Sequence, residues 1–311
     1  MKYKVAQIIP YFGQWPGWIE LYFYSCGQNP NIDFIFYTDC PVPQQTYSNT
    51  KFISTSFEKY CKLVGTRLGI NYVINSAYKL TDLKPFIGIV HQEELKDYDF
   101  WGFGDLDLVY GDLSMIINDK MLSSYELLTT HNYHIAGHFI LCRNNEYWRT
   151  LCFRIKNWKK RLVDNQHYAF DEGEWSGMVN PFIKYIHRMH GLLLKPFGIH
   201  YFTVLDLLNP LLVNKCLFKE FWTSPHAGPE NGIDKEWTYD VKKHQIIDPE
   251  GRELPYLHFL FFKKTPWLTT AYYWREGYWK IDSDNGICDK EHFKGYKKII
   301  FNHKEVKGCL S

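Results

Sequence analysis

The sequence lacks several features that would define a class at once. Its eight cysteines contain no Cys-x-x-Cys pair, which makes a zinc ribbon improbable, and without a disulfide-like spacing or a secretory leader we expect reduced thiols in a cytoplasmic protein. The most apolar stretches are too short or too broken to cross a hydrocarbon layer of about 30 Å. A formal net charge of +2 gives no strong global field, which argues against wrapping of duplex nucleic acid.

What is present describes a folded globular chain. Hydrophobic residues make up 45% and charged residues 23% of the 311 positions. Aromatic residues reach 18%, well above ordinary usage; such rings stack on sugars and bases but also fill cores. The length allows one large domain or two modest ones, and because no repeat, low-complexity tract or clear linker is visible, we predict a single domain over residues 1–311.

The N-terminal part alternates predicted strands and helices. A strand at 4–9, a helix at about 18–28 and a strand at 32–37 form a β-α-β unit, which favours a parallel sheet. We therefore predict an α/β fold with a mostly parallel central sheet, helices on both faces and an elaborated C-terminal part. Further predicted strands lie at 51–54, 99–104, 126–129 and 138–142. Further predicted helices lie at 75–94, in two pieces because of Pro85, at 146–163 and at 173–189. A helix capped by Thr55 with Glu58 and a helix to about residue 122 capped by Asp112 complete the prediction.

The central candidate for chemistry is the pair Asp105 and Asp107. Carboxylates two residues apart at a strand end can share one divalent cation. Asp-x-Asp also occurs at 97/99 and 282/284, but only the middle pair directly follows an apolar strand, at the carboxyl end where open α/β sheets bind ligands. The alternative is that both residues merely cap the turn and the next helix.

The run from Asp99 to Asp112, DFWGFGDLDLVYGD, resembles the metal-binding loop of GT-A nucleotide-sugar glycosyltransferases. More narrowly, the chain is similar to an uncharacterised bacterial family linked to capsular and other surface-polysaccharide synthesis. The resemblance covers most of the first 175 residues and continues through the segments 9–13, 29–33, 36–39, 78–85, 137–138, 143–144 and 170–172.

The resemblance implies a GT-A-like fold and a hexosyltransferase activity. A nucleotide diphosphate sugar would be held against Mn²⁺ or Mg²⁺, and the sugar would move to a glycan or lipid-linked acceptor. Residues 1–125 would form the nucleotide-sugar-binding half, and residues 126–311 the acceptor side with a C-terminal extension. Cytoplasmic localisation, with peripheral contact at the inner face of the cell membrane, is expected. The donor sugar, the acceptor, the anomeric outcome and the oligomeric state stay open.

Two groups would border the donor. The first follows the first two strands and offers a ring for stacking and a carboxylate for the base or ribose: Tyr11, Phe12, Gly13 and Asp39. The second lies on a short helical approach to the same edge, where lysine could meet phosphate and aspartate could accept from a sugar hydroxyl: Lys79, Asp82 and Lys84. Ordinary turn chemistry and a solvated helix face are the alternatives.

The family usually supplies a third metal ligand from the C-terminal side, often a histidine. We favour His258 in the segment 254–259, where Tyr-x-His resembles the family's late histidine motif, over His226 in 223–229, with a core histidine as the alternative. Asp171 and Glu172 offer carboxylates for the acceptor hydroxyl or the donor sugar, although acidic residues at a helix start are common without chemistry. Gly137 and His138 should lie on a strand facing the acceptor side.

Near the end, residues 290–307 contain six lysines interleaved with aromatic and aliphatic residues. This segment could dock on an anionic membrane, or it could be a plain solvated face. For the whole chain, two other functions stay open. One is a phosphatase of the haloacid dehalogenase kind, whose motif normally follows the first strand. The other is a non-catalytic carbohydrate-binding protein with aromatic platforms.

Overall fold

A computed structural model describes residues 1–43, 46–190, 198, 201–213, 215–225, 235–262, 279–281 and 293–310. The chain opens with the predicted β-α-β unit: strand β1 (Val5–Pro10), helix α1 (Ile19–Gly27) and strand β2 (Ile32–Thr38). Strand β3 (Thr50–Ser54) then leads to helix α2 (Phe57–Leu68). These first elements lie close to their predicted bounds because apolar runs and turn residues punctuate this part of the sequence clearly.

The middle of the chain supplies the elements that position the candidate residues. A 3-10 helix (Ala77–Phe86) runs into helix α3 (Ile87–Val90), and strand β4 (Phe100–Gly104) is followed after three residues by the short strand β5 (Leu108–Tyr110). The next elements are a 3-10 turn (Leu113–Met115), α4 (Asp119–Ser124), β6 (Leu127–Thr129), β7 (Phe139–Arg143), α5 (Glu146–Thr150), a 3-10 helix (Leu151–Arg154), α6 (Trp158–Val163), a π-helical turn (Asp171–Trp175), α7 (Ser176–Val179), α8 (Ile183–Met189) and α9 (Tyr201–Leu212).

The C-terminal part is mainly β-structure. Its elements are β8 (Cys216–Phe218), β9 (Glu236–Asp240), β10 (Gln245–Ile247), β11 (Glu253–Leu254), β12 (Tyr256–His258), a 3-10 turn (Leu260–Phe262), β13 (Trp279–Lys280), β14 (Tyr296–Asn302) and β15 (Val306–Leu310). Of the helices that the structure describes, none combines the length and the apolar character needed to cross a membrane.

Within the described residues, the central sheet has seven strands in the order β3-β2-β1-β4-β7-β6-β8. Strand β7 pairs antiparallel with both β4 and β6, and the other neighbouring pairs are parallel. Successive side chains of β1 enter different cores: Ala6 and Ile8 pack with α2 and α3, whereas Val5 and Ile9 pack with α1 and α4. The predicted α/β fold, with a mostly parallel sheet and helices on both faces, is confirmed.

A second, six-stranded sheet in the order β11-β10-β9-β14-β15-β13 lies in the region where the sequence pattern loosened. Its core includes Tyr239, Ile299 and Phe301, all fully buried. The described part of the Lys-rich segment 290–307 contains β14 and the first two residues of β15, and most of its buried apolar side chains face this core. Residues 290–292 lie outside the described residues.

Several predicted helix bounds were wrong for local reasons. Ser56, one residue after Thr55, caps α2 by accepting from the Lys59 N–H at 3.2 Å. Asp112 caps only the 3-10 turn that follows it, and Asn118 caps α4. The helices predicted at 146–163 and 173–189 are each broken into shorter pieces. Asn157 adopts a left-handed backbone conformation (φ 57°) directly before α6, so the chain cannot continue there as one helix. The apolar periodicity of the sequence does not reveal this break.

Candidate active site

Asp105 and Asp107 lie at the carboxyl end of β4, in the three-residue link between β4 and β5. The Asp105 N–H donates to the His138 carbonyl at 3.0 Å, and the Phe259 N–H donates to the Asp107 carbonyl at 3.0 Å. Strand β4 neighbours β1, so this link and the loop after β1 share one edge of the sheet. Across that edge the indole N–H of Trp18 donates to the Leu106 carbonyl at 2.9 Å. The loop is thus fixed on both sides by hydrogen bonds to its own backbone.

His258 reaches the two aspartates through a ribbon of β5 and β12. These strands pair antiparallel, with His258 opposite Leu108, the residue after Asp107. His258 Nε2 lies 3.3 Å from Asp107 Oδ2, and one ligand atom from each of the three residues lies within 4.8 Å of the others. Asp107 and His258 are buried, and Asp105 is partly exposed. These separations are short enough for all three groups to contact a single ion.

The chemistry of these three ligand groups limits which ion would fit. Two carboxylates favour Mg²⁺, Ca²⁺ or Mn²⁺, whereas imidazole favours transition metals. Mn²⁺ satisfies both preferences. No other group of three or more His, Cys, Asp or Glu side chains within the described residues has comparable geometry. The third ligand proposed as the alternative, His226, lies outside the described residues.

A second layer of side chains orients His258. Ser224 Oγ lies 3.0 Å from His258 Nδ1, which leaves Nε2 turned toward Asp107. The ring of His138 stacks on that of His258 with centroids 4.0 Å apart, and the Tyr256 hydroxyl lies 2.9 Å from His138 Nε2. Burial, followed by the charges of His258 and His131, lowers the pKa of His138 well below its usual value. A neutral His138 therefore supports the His258 ring.

Lys84 brings a positive charge to the same place. Its Nζ lies 2.7 Å from Asp105 Oδ1 and 3.7 Å from Asp171 Oδ2. Burial works to lower the pKa of Lys84, but Asp105, Asp171 and Glu172 together raise it above its ordinary value. The ammonium therefore stays protonated and balances part of the acidic charge.

Asp171 and Glu172 lie in the π-helical turn beside Gly137. The prediction that Gly137 and His138 lie on a strand was wrong, because both are in the turn that directly precedes β7. A Cβ at Gly137 would approach Asp171 Oδ2 to 2.6 Å and Glu172 Oε1 to 3.0 Å, so the absence of a side chain there makes room for both carboxylates. Burial raises the pKa of Asp171 to about 6; Glu172 and Asp105 add to this effect and Lys84 opposes it. Asp171 can thus exchange a proton near neutral pH.

Lys79 and Asp82 are not brought into this cluster. Lys79 is buried; its Nζ contacts Asp82 Oδ2 at 2.9 Å and donates to the Arg161 carbonyl at 2.7 Å. Asp82 is fully buried and accepts from the Tyr168 N–H at 3.0 Å. The polar atoms of both side chains are therefore used within the fold, between the 3-10 helix and the chain that follows α6.

The loop after β1 divides its residues between two environments. Phe12 is buried against Phe57 and Tyr60, so its ring belongs to the core. Asp39 is exposed and its Oδ1 accepts from the Gly13 N–H at 2.7 Å; Gly13 adopts φ 109°, which favours glycine.

The half-buried ring of Tyr11 stacks on Trp15 at 5.2 Å. Tyr11, Gly13 and Asp39 thus lie at the same sheet edge as Asp105.

Sequence reasoning missed Ser224, Tyr256 and Trp18 as parts of the site. The signal for Tyr256 was its position two residues before His258, on the same face of a strand. Ser224 and Trp18 carried no such signal, because their roles depend on contacts between distant segments. A separate surface cavity of about 680 Å³, between α2 and residues 69–74, includes none of the candidate residues.

Comparison with known proteins gives a family but no activity. No curated protein matches the sequence. The apo-form glycosyltransferase GlyE of Streptococcus pneumoniae TIGR4 is 12% identical, with a TM-score of 0.30, over 67% of this chain and 64% of that one. Another GlyE structure from the same organism is 13% identical, with a TM-score of 0.25, over 68% and 44%.

The chain thus spans less than two thirds of the length of either structure, and likenesses of this size assign no function. A family model, described as a family of unknown function (DUF6625), matches residues 7–191. Since this match covers more than half of the 311 residues, the chain belongs to the DUF6625 family.

Proposed function

We propose that this chain is a metal-dependent glycosyltransferase. It would move a sugar from a nucleoside diphosphate sugar to a hydroxyl of a glycan or lipid-linked acceptor in bacterial surface-polysaccharide synthesis. The observation that carries the proposal is the convergence of Asp105, Asp107 and His258 within 4.8 Å at the carboxyl edge of a mostly parallel sheet. That edge is where α/β folds bind nucleotides.

The three ligand residues would hold Mn²⁺ or Mg²⁺, with Mn²⁺ favoured by the imidazole. When bound, such an ion acts as a Lewis acid that stabilises the charge developing on a departing diphosphate, an effect worth several kcal/mol. His258 is fixed for this role by Ser224 and His138, and Asp107 is fixed through its backbone carbonyl.

Lys84 provides a second positive charge beside Asp105. We propose that its ammonium contacts a phosphate oxygen of the donor, since a partly buried, protonated lysine 2.7 Å from a proposed ligand carboxylate lies within reach of that carboxylate's other partners. Lys79 has no place in this proposal, because its Nζ is engaged inside the fold.

Asp171 and Glu172 are proposed to act on the sugar side. Asp171 has a pKa of about 6 and can accept or return a proton near neutral pH, as a general base for an acceptor hydroxyl must. Glu172 lies beside it at Gly137 and would bind a hydroxyl of the donor or acceptor. Tyr11, Gly13 and Asp39 would border the nucleoside, with Asp39 exposed for a hydroxyl or a base.

The site draws on both proposed halves of a single domain. Asp105, Asp107 and Lys84 come from residues 1–125, whereas Asp171 and His258 come from residues 126–311. We propose that the first half carries the donor and the second half closes the metal site and faces the acceptor.

Calorimetric titration tests the proposal directly. Wild-type protein is titrated with uridine, guanosine and cytidine diphosphates and their sugars, with and without Mn²⁺. We expect metal-dependent binding of at least one donor. Asp107→Asn should abolish that binding with little change in the thermal midpoint, whereas Asp97→Asn, at an exposed aspartate of another Asp-x-Asp pair, should leave it intact.

Two results would overturn the proposal. Absence of metal-dependent binding for every donor removes the transferase, and a large loss of stability in Asp107→Asn would identify the pair as a turn cap. Metal-dependent release of phosphate from p-nitrophenyl phosphate would instead favour a phosphatase. Metal-independent binding of a glycan without nucleotide would favour a carbohydrate-binding protein.

A further inference from the structure

The segment from Tyr147 to Val163 concentrates positive charge. It contains six Lys or Arg residues and no Asp or Glu, in a chain whose formal net charge is only +2. Two of the six are used internally: Arg149 donates to Asn144 Oδ1 at 2.8 Å, and Arg161 pairs with Glu174. In the part of the chain that the structure describes, the other four are exposed and take part in no ion pair: Arg154, Lys156, Lys159 and Lys160.

Large rings are exposed among these charges. Tyr147 is 48% and Phe153 40% exposed. The Arg154 guanidinium lies 5.7 Å from the centre of the Tyr147 ring, the rings of Phe153 and Trp158 are 5.2 Å apart, and Lys159 Nζ lies 5.6 Å from the Trp158 ring. These contacts join the residues into one patch, which we call the basic-aromatic surface: Tyr147, Phe153, Arg154, Lys156, Trp158, Lys159 and Lys160.

We propose that the basic-aromatic surface docks on a bilayer containing anionic phospholipids. Lysines and arginines near such a surface are attracted by its negative potential, and aromatic rings favour the boundary between headgroups and acyl chains. Free lysine charges beside exposed rings, on short helical segments at the protein surface, supply both interactions together. The rings of Phe153 and Trp158 pack on each other, so they form no open slot between which a nucleobase could stack.

The patch is rigidly connected to the fold. Trp158 packs on the fully buried Phe86 with ring centroids 5.2 Å apart, and Phe86 ends the 3-10 helix that carries Lys84. The Arg161 guanidinium lies 4.7 Å from the Phe170 ring, directly before Asp171. Docking would therefore hold the elements that present Lys84 and Asp171 near the membrane. This last step rests on the proposed function, whereas the docking itself does not.

Sedimentation with vesicles tests the docking. The full chain is incubated with vesicles of phosphatidylcholine alone and with vesicles containing equal parts of phosphatidylcholine and phosphatidylglycerol. We expect binding only to the anionic vesicles, weakened by salt. Lys159→Glu/Lys160→Glu should weaken binding at least about tenfold, since each basic residue near the surface contributes a factor of roughly five. Phe153→Ser should weaken binding to the same vesicles in a salt-independent manner.

A matched control separates this surface from general charge. Lys242 and Lys243 are also adjacent and exposed, in the turn after β9, and Lys242→Glu/Lys243→Glu makes the same change in net charge. We expect this variant to bind anionic vesicles as the wild type does. Three results would each overturn the proposal. The two variants could lose binding equally, the wild type could fail to bind anionic vesicles, or the chain could bind duplex DNA more tightly than vesicles at the same salt. None of these measurements requires catalysis, so a failure here is distinguishable from failure of the transferase.

Discussion

Lys84 Nζ and Asp105 Oδ1 lie 2.7 Å apart, so a ligand proposed for a divalent ion is already paired with an ammonium group. The same Nζ lies 3.7 Å from Asp171. One lysine thus balances the charge of both Asp105, a proposed metal ligand, and Asp171, a proposed base. Any cation that binds Asp105 must share this carboxylate with Lys84 or displace its ammonium toward Asp171 or a bound anion.

Replacement of Lys84 tests this balance. Lys84→Met leaves Asp105 and Asp171 without their shared counter-charge. We expect the free energy of unfolding to fall by about 1–2 kcal/mol, a value that already allows for solvent screening at the partly exposed Asp105. Added Mn²⁺ should raise the thermal midpoint of the variant more than that of the wild type, because the ion replaces the missing charge. Lys62→Met, at an exposed lysine of α2, should show neither effect. An equal response to Mn²⁺ in all three proteins would contradict the shared-charge model.

The hydroxyl of Ser224 should control metal affinity through His258. Ser224→Ala removes the partner of Nδ1, at 3.0 Å, and frees the ring to rotate or change tautomer. We expect the affinity for Mn²⁺, measured by calorimetry, to fall roughly tenfold to a hundredfold. Ser224→Thr keeps the hydroxyl and should restore most of the affinity. If Ser224→Thr binds as poorly as Ser224→Ala, the hydroxyl does not position His258.

Asp171 should make stability depend on pH. Its pKa in the folded protein is raised from 3.8 to about 6, chiefly by burial, so the folded state holds the proton more tightly than the unfolded state. Ionisation of Asp171 therefore destabilises the folded state. The stability that the protonated carboxyl contributes is lost as the pH rises from about 4 to about 6. The loss is on the order of 2–3 kcal/mol and persists at neutral pH.

Urea unfolding across this range checks the sign. Asp171→Asn has no carboxyl to ionise, so we expect a flatter profile and a relative gain over the wild type above pH 6. Asp97→Asn, at an exposed position, should keep the wild-type profile. Profiles that coincide for wild type and Asp171→Asn would show that another group titrates in this range.

The two lysines of one predicted helix show where sequence reasoning stopped. Lys79, Asp82 and Lys84 were all placed on the approach to the site, as residues of a helical face. The segment is a 3-10 helix, in which residues three apart eclipse each other, so Lys79 and Asp82 share the buried face and pair at 2.9 Å. Lys84, two residues further on, lies on another face and contacts Asp105. The packing of that face against the chain at 161–168, which composition does not reveal, decided which lysine faces the site.

The residues proposed as metal ligands carried a clearer sequence signal than the residues that support them. Asp105 and Asp107 follow a strand by local spacing alone, and His258 was chosen by a resemblance in its segment. The contact of Ser224 with His258, and the pairing of β12 with β5, join segments that are far apart in sequence. The second sheet was missed because β10, β11 and β13 are only two or three residues long, and because the pairings of β9 with β14 and of β13 with β15 join distant segments. Local sequence patterns determine where strands and helices form, whereas contacts between distant segments determine which side chains surround a site.

Gly137 should be required by the carboxylates beside it. In Gly137→Ala the new Cβ would lie 2.6 Å from Asp171 Oδ2 and 3.0 Å from Glu172 Oε1, both ends of side chains that can move. We therefore expect a small change in stability, within about 1–1.5 kcal/mol, but a marked fall in kcat as Asp171 and Glu172 are displaced. Mn²⁺ affinity should be unchanged, because Asp105, Asp107 and His258 are not touched.

The control is Gly177→Ala in α7, where an added Cβ meets nothing within 4 Å. It should be neutral or stabilising by up to about 1 kcal/mol and fully active, since alanine favours helix. If Gly137→Ala keeps its kcat while losing Mn²⁺ affinity, the carboxylates at this turn serve the metal site and not the acceptor. If it unfolds, the space at Gly137 is a packing requirement of β7 and the π-helical turn, and Asp171 and Glu172 lose the main geometric argument for a role on the sugar side.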